Sequence, residues 1–299
     1  MPEAIIDPTA RVHQTAIIGD DCDIGPYCVV GPDVELQDGV ILDAHVVVRG
    51  RTRIGARTKV FSGSVIGNIP QDRKYDGEPS QLVIGADCVI REHVTINTGT
   101  TGGGMLTRIG DGCLIMAGAH IGHDCIVGNQ VIIVNHVLLG GHVDVGDFAV
   151  IGGQAAVHQF VRIGAHAMIG GMTGVEHDVI PFGLVTGNRA TLDGLNLIGM
   201  KRRGFGRGEI TRMQELYRFL FQSGRTLRDA IAEAPAQFEN EGGVGEVLAF
   251  LGAPSRRSFT VPAEVPSVAA MPTPLTEVDI SALRGNNPSM PRSVAAAAG

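Results

Sequence analysis

Nothing in these 299 residues approaches the ~18 consecutive apolar positions that a transmembrane helix needs. The start, Met1-Pro2-Glu3-Ala4, also lacks the basic and then apolar pattern of a secretory signal, so a cytoplasmic protein is expected. Positive charge is not in excess either: a net charge of −7 argues against general affinity for nucleic acid or anionic membranes. Cysteine is sparse, with five residues, and their placement speaks against a disulfide or metal framework.

What the chain does have is an aliphatic residue at every sixth position. The first run is Ile6, Val12, Ile18, Ile24, Val30, Leu36, Leu42, Val48, Ile54, Val60 and Ile66. It resumes at Ile84, Ile90 and Ile96. After a one-residue shift it continues from Ile109 through Ile115, Ile121, Val127, Ile133, Leu139, Val145, Ile151, Val157, Ile163 and Ile169 to Val175. Neither an α-helix nor an ordinary sheet has that period, but a hexapeptide β-solenoid does. Three hexads make a coil of about 18 residues, and coils stack one strand spacing, ~4.8 Å, apart. Resemblance to hexapeptide proteins implies a left-handed parallel β-helix, against the usual right-handed crossover.

Other hexad positions agree. Glycine often follows the core aliphatic, as at Gly25, Gly55, Gly122 and Gly140, and is expected to relieve the corner's backbone conformation. Two residues before the aliphatic the chain prefers small side chains such as Ala16, Thr58, Ser64 and Ala119. Cys22, Cys28, Cys88, Cys113 and Cys125 all share that inward phase, which makes them core packing rather than nucleophiles or ligands.

Two stretches break the repeat. Residues 67–83 put Asp72 and Glu78 where aliphatics should recur, and residues 97–108 are rich in glycine. Both are expected to be loop excursions from a β-helix over 1–190, and solenoid insertions usually map to a binding face. A helical pattern then carries Ile210, Met213, Leu216, Tyr217 and Leu220 on one face. Thr226 can cap a second helix, and 242–251 can hold a third. A helical domain over 191–252 would cap the last coil. Residues 253–299, rich in proline and alanine without periodicity, are expected to be disordered. Lys201, Arg202, Arg203, Arg207 and Arg212 form a basic cluster, read either as a solvated helix approach or as a docking patch for an acidic partner or phosphate.

Histidines gather at His120, His123, His136, His142 and His158. Stacking by 18 residues puts His123 beneath Gly141 and Asp124 beneath His142, while the position below His123 falls in the second excursion. That leaves room beside an imidazole. Histidine is the natural general base near neutral pH, and a neighbouring carboxylate can orient its ring. The cluster also admits a zinc reading, but His120 and His123 are half a hexad apart, and a catalytic zinc needs three converging ligands.

The segments Asn68-Ile-Pro-Gln71-Asp72-Arg-Lys74-Tyr-Asp-Gly-Glu-Pro79, His120-Ile-Gly-His123-Asp124, Gly153-Gln-Ala-Ala-Val-His158-Gln159-Phe160 and Gly199-Met-Lys201-Arg202-Arg203-Gly-Phe205 closely resemble the acyl-ACP–UDP-N-acetylglucosamine O-acyltransferases of lipid A biosynthesis. The likeness covers about residues 1–250. It implies that His123 is the base for the sugar 3-hydroxyl, that Asp124 assists it, and that the Gly141 N–H holds the oxyanion. It also implies that Asp72, Lys74, His120, His142, His158 and Gln159 line the sugar and acyl cleft. Asn196, Arg202 and Arg203 would contact the nucleotide, and Gly171 would leave the acyl groove open to a long chain. A homotrimer with sites between subunits, docking of acyl carrier protein on the basic cluster, and a reaction without cofactor or metal are further implications. The chain departs from the family at Thr95-Ile-Asn97-Thr98-Gly, where His-Arg is common before the glycine, at Arg189 in place of a common histidine, and in the extra tail after Ala253.

The expectation is therefore transfer of a 3-hydroxylated fatty acyl group from acyl carrier protein to the 3-hydroxyl of UDP-N-acetylglucosamine. The alternatives are the same transfer to a 3-amino sugar nucleotide, a carbonic anhydrase-like zinc protein of the same architecture, and a non-catalytic scaffold subunit.

Overall fold

In the computed structural model, which describes residues 3–263, each hexad contributes a strand of two to four residues. Strands one coil apart pair in parallel, with Ile6 opposite Ile24, Lys59 opposite Ile41 and Ile121 opposite Leu139. Three long sheets result, forming the faces of a left-handed parallel β-helix. The sixth-position aliphatics fill the prism: Ile24, Ile66, Ile96, Ile121 and Ile151 are wholly buried.

The corner glycines serve a different purpose from the one expected. Gly25, Gly55, Gly122 and Gly140 have ordinary φ values. A Cβ on Gly55 would lie 2.4 Å from the Gly85 carbonyl carbon, and one on Gly140 would lie 2.8 Å from the Gln159 nitrogen. Glycine is there because the next coil's backbone passes too close for a side chain. The left-handed conformation falls two residues later and is mostly carried by non-glycine residues, including Asp21, Tyr27, His45, Asp124, His142 and Phe160. Such residues pay a local steric cost, which the inter-coil hydrogen bonds flanking each corner offset.

All five cysteines are buried and free. Each also donates to a carbonyl, as in Cys28 Sγ to Asp43 O at 2.8 Å and Cys125 Sγ to Gly140 O at 3.1 Å. Thr58 and Ser64, in the same phase, do likewise toward Gly85 O and Arg91 O. The inward position thus selects a small donor as well as a small volume. Burial pushes the Cys125 thiol up to about 12, so it stays protonated and unreactive.

The first excursion leaves the solenoid between the strands Val65–Asn68 and Gln81–Ile84, the second between Thr95–Asn97 and Leu106–Ile109. At the other end, the strand Thr191–Leu195 turns back antiparallel on Gly183–Thr186, so residues 191–195 belong to the sheet and not to the helical part. Helices α1 (Leu197–Arg202), α2 (Arg207–Gln222), α3 (Leu227–Gln237) and α4 (Gly242–Gly252) follow. Met213, Leu216 and Leu220 bury the apolar face of α2, and Thr226 caps α3 by accepting from Asp229 N.

Residues 253–263 depart from the expected disorder. Asp178 N donates to Ser258 O and Thr260 N to Asp178 O, both at 2.8 Å, which lays this segment as a strap along the last coil. It is held by one parallel bridge, by Leu192 N donating to Val261 O, by Phe259 packed against the core and by Ser, Thr and Arg side chains, and such contacts leave no period in the sequence. Residues 264–299, the rest of the expected disordered tail, lie outside the described residues.

Candidate active site

Asp124 is fully buried, and its partners come from the second excursion. Its Oδ1 accepts from Thr100 N at 2.8 Å and its Oδ2 from Thr100 Oγ1 at 2.6 Å, while its own N–H reaches Thr107 Oγ1. A Cβ on Gly103 would sit 2.1 Å from Asp124 Cγ, so only glycine lets the loop close over the carboxylate. Three donors reach its two oxygens, the two from Thr100 and His123 Nδ1 at 2.8 Å, while His142 Nδ1 stands off at 3.8 Å.

An ionised Asp124 requires the proton of His123 on Nδ1, which leaves a lone pair on Nε2. The stacking of Gly141 over His123 is as expected. A Cβ at 141 would come within 2.5 Å of His123 Nε2, so glycine keeps the space beside that nitrogen open. Among the described residues the Gly141 N–H donates no hydrogen bond. At the same hexad position on another corner, Asp111 N and Asn129 N are each taken by the side chain one coil up. His142 packs edge-on to His123 and lies flat on Phe160, 4.4 Å between centroids.

A cleft of about 450 Å³ brings together His120, His123, Gly141, His158 and Gln159, with Gln71 and Asn97 on its wall. Thr95 Oγ1 bonds His120 Nδ1 at 2.8 Å. Burial, reinforced by the charge of His123, lowers the His120 pKa. Burial lowers His142 as well, although the Asp124 charge opposes it. Asn97 donates to Ile69 O at 3.0 Å, so the residue that departs from the family pattern ties the first excursion to its coil. Arg189, the other departure, is paired with Glu176.

Of the remaining expected residues, Asp72 lies near enough for its charge to act on His142, whereas Lys74, Gly171, Asn196, Arg202 and Arg203 do not line this cleft within one chain. Asp72 and Lys74 lie on the first excursion, where Asp72 Oδ1 accepts from Lys74 N. Gly171 is exposed on a different corner of the prism. Asn196 is engaged locally, capping α1 through Gly199 N and donating to His166 O. Arg202 is exposed, and Arg203 lies over the Phe148 ring and donates to its carbonyl. Thr100, Gly103 and Arg257 are site residues that sequence reasoning missed. Only the glycine richness around 102–104 carried a signal, because a loop with no side chains can approach a neighbour closely.

A parallel β-helix with a buried carboxylate orienting an imidazole beside an open cleft defines a hexapeptide-repeat transferase. The hexapeptide repeat model described as bacterial transferase matches residues 106–141. The model described as UDP-N-acetylglucosamine O-acyltransferase, domain 2, matches 178–260 and so includes part of the strap. An acyl-[acyl-carrier-protein]–UDP-N-acetylglucosamine O-acyltransferase from Paracoccus denitrificans is 52% identical over 203 residues, 68% of this chain and 77% of the relative. One from Anaeromyxobacter is 45% identical over 202 residues, 68% of this chain and 79% of the relative. The solved UDP-N-acetylglucosamine acyltransferase from Campylobacter jejuni superposes with a TM-score of 0.80 at 38% identity, covering 86% of this chain and 99% of that one. This chain belongs to the acyl-[acyl-carrier-protein]–UDP-N-acetylglucosamine O-acyltransferase family.

Proposed function

We propose that this chain transfers a 3-hydroxylated fatty acyl group from acyl carrier protein to the 3-hydroxyl of UDP-N-acetylglucosamine, the first step of lipid A biosynthesis. The observation that carries the mechanism is the His123–Asp124 pair, with Nε2 of His123 and the Gly141 N–H beside it both without a partner among the described residues. His123 Nε2 takes the hydroxyl proton as the sugar oxygen attacks the thioester carbonyl carbon. Gly141 N–H donates to the oxyanion that forms. The C–S bond then breaks, and the carrier's thiolate receives the proton from His123. Asp124 holds the ring and favours its transient positive charge. No covalent acyl-enzyme is needed, in keeping with five cysteines buried in the core.

Gly171 sits on another corner of the prism, and Asn196, Arg202 and Arg203 lie at helix α1, so they complete this cleft only when a neighbouring subunit supplies them. A homotrimer with its sites between subunits accounts for that arrangement. Lys201, Arg202, Arg207 and Arg212 remain accessible for an acidic carrier. No helix among the described residues is long and apolar enough to cross a membrane, and cytoplasmic action on a soluble sugar nucleotide is the reading in keeping with this.

The purified protein, incubated with a mixed acyl-carrier pool and either UDP-N-acetylglucosamine or its 3-amino analogue, should yield an ester of the first by mass spectrometry. An amide formed only from the second would replace this reading, and no product from either would overturn it. His123, Asp124 and His142 also cluster closely enough to face one metal ion, but both Asp124 oxygens are already occupied by Thr100 donors. Activity abolished by a chelator and restored by zinc would contradict the metal-free mechanism.

A further inference from the structure

We propose that Arg257, on the strap, is a positioning residue that sets His158 as a neutral hydrogen-bond donor into the cleft. The strap is firmly placed. Ser255 Oγ donates to Asp178 Oδ2 at 2.6 Å, and Ser258 Oγ meets His177 Nδ1 at 2.9 Å. Asp178 is itself buried and receives Arg162 through Nε at 2.7 Å. From this anchorage Arg257, half-buried, crosses to the cleft wall. Its Nε and one terminal nitrogen donate to Gln159 O at 3.1 and 2.9 Å, and the same terminal nitrogen meets His158 Nδ1.

A guanidinium has donors only and stays protonated. His158 Nδ1 also lies 3.3 Å from Gln159 O. That carbonyl already accepts twice from Arg257, and the guanidinium contact is the shorter one, so Nδ1 accepts, the proton sits on Nε2 and the ring is neutral. His123 is arranged the other way: a carboxylate on its Nδ1 makes that nitrogen the donor and leaves Nε2 as the base. One cleft thus holds two imidazoles of opposite polarity, one to take a proton and one to donate a hydrogen bond to an acceptor oxygen of the bound substrate. Arg256, beside it on the strap, makes a different contact, with its guanidinium 4.6 Å from the Phe160 ring centroid.

The kinetic part of this inference rests on the acyl-transfer reading, whereas the tautomer does not. Two-bond ¹H–¹⁵N correlation spectra of the full-length protein at neutral pH should show His158 as the Nε2–H form, and Arg257→Gln should relax it toward a mixture. A wild-type ring protonated on Nδ1, or a tautomer unchanged by Arg257→Gln, would overturn the assignment whatever the reaction proves to be. In steady-state assays Arg257→Gln should lower kcat/KM about 10- to 100-fold, the range for losing a charged hydrogen bond. Arg257→Lys should recover part of that, since an ammonium can reach one of the two acceptors. His158→Ala should add little in the Arg257→Gln background, because the two act as one unit. Arg256→Gln removes the same charge from the same strap but lies toward His142 and Phe160, so it should leave the His158 tautomer as in wild type. The same loss of the Nε2–H form in Arg256→Gln as in Arg257→Gln would mean that strap charge alone sets the ring, and the proposal would fail.

Discussion

At the scale of single residues, the site depends on which nitrogen of His123 is free and on what keeps it free. His123→Ala should lower kcat by about 10²- to 10⁴-fold with little change in melting temperature, since the ring lies outside the core. Activity within a few-fold of wild type would remove His123 from its role. Gly141→Ala should behave similarly: its φ is ordinary, so the backbone tolerates alanine, but the new Cβ would enter the space at 2.5 Å from the imidazole. Thr100 and Asp124 should separate in the opposite sense. Thr100→Val deletes one hydroxyl but keeps the backbone N–H bond to Oδ1, and should cost activity more than stability. Asp124→Ala leaves buried donors unpaired and should also cost about 1–3 kcal/mol in chemical denaturation. A destabilisation by Thr100→Val as large as that of Asp124→Ala would make the loop contact structural alone.

At the scale of the repeating coil, glycine substitutions distinguish two physical reasons for the same residue type. Gly55→Ala forces a Cβ against the Gly85 backbone at 2.4 Å and has no flexible neighbour to yield. It should destabilise by about 1–3 kcal/mol or more, the range for overpacking. Gly208→Ala, near the start of α2 with nothing within 4 Å of its Cβ, should stabilise by up to about 1 kcal/mol through helix propensity. Denaturant midpoints for the two variants check both signs. The same result would show that corner glycines answer to inter-coil distance, not to φ.

At the scale of the whole molecule, three histidines are held neutral by packing. Burial lowers the pKa of His120, His142 and His166, and His166 is stacked between Phe148 and Phe182 with Arg203 adding to the shift. Below the ordinary histidine value of 6.5 the unfolded chain binds protons that the folded chain refuses. Stability should therefore fall as pH drops through 6.5 toward the lowered folded values. A melting series from neutral to mildly acidic pH should show this fall, and His166→Phe, which keeps the stack, should flatten it. A series with no dependence would refute the account.

Assembly and chain selection belong to this scale as well. Light scattering should give about three times the 31.4 kDa chain mass. Gly171→Met should then shift preference to a shorter acyl chain by roughly one to two decades, from ~1–3 kcal/mol of overpacking against the long one. A Cβ at 171 meets only the Gly153 backbone, nearest its oxygen at 3.2 Å, so folding should be largely spared. Unchanged chain preference would place the groove's end elsewhere.

The sequence by itself determined the solenoid, because a period of six is a local property repeated coil after coil, and the buried aliphatics report it at each turn. It also determined the coincidence of His123 with Gly141 and of Asp124 with His142, since stacking follows from counting along a regular coil. Both loops were legible as interruptions of that count. What lay beyond counting was decided by the tertiary structure. Thr100 reaches Asp124 from an irregular loop, and Arg257 reaches His158 across 99 residues. Each joins a regular coil to a segment outside the repeat, so neither leaves a period or a composition to read. The expectation that residues 253–263 were disordered failed for that reason: a strap tied down by individual Ser, Thr and Arg side chains looks like a tail until the coil that receives it is built.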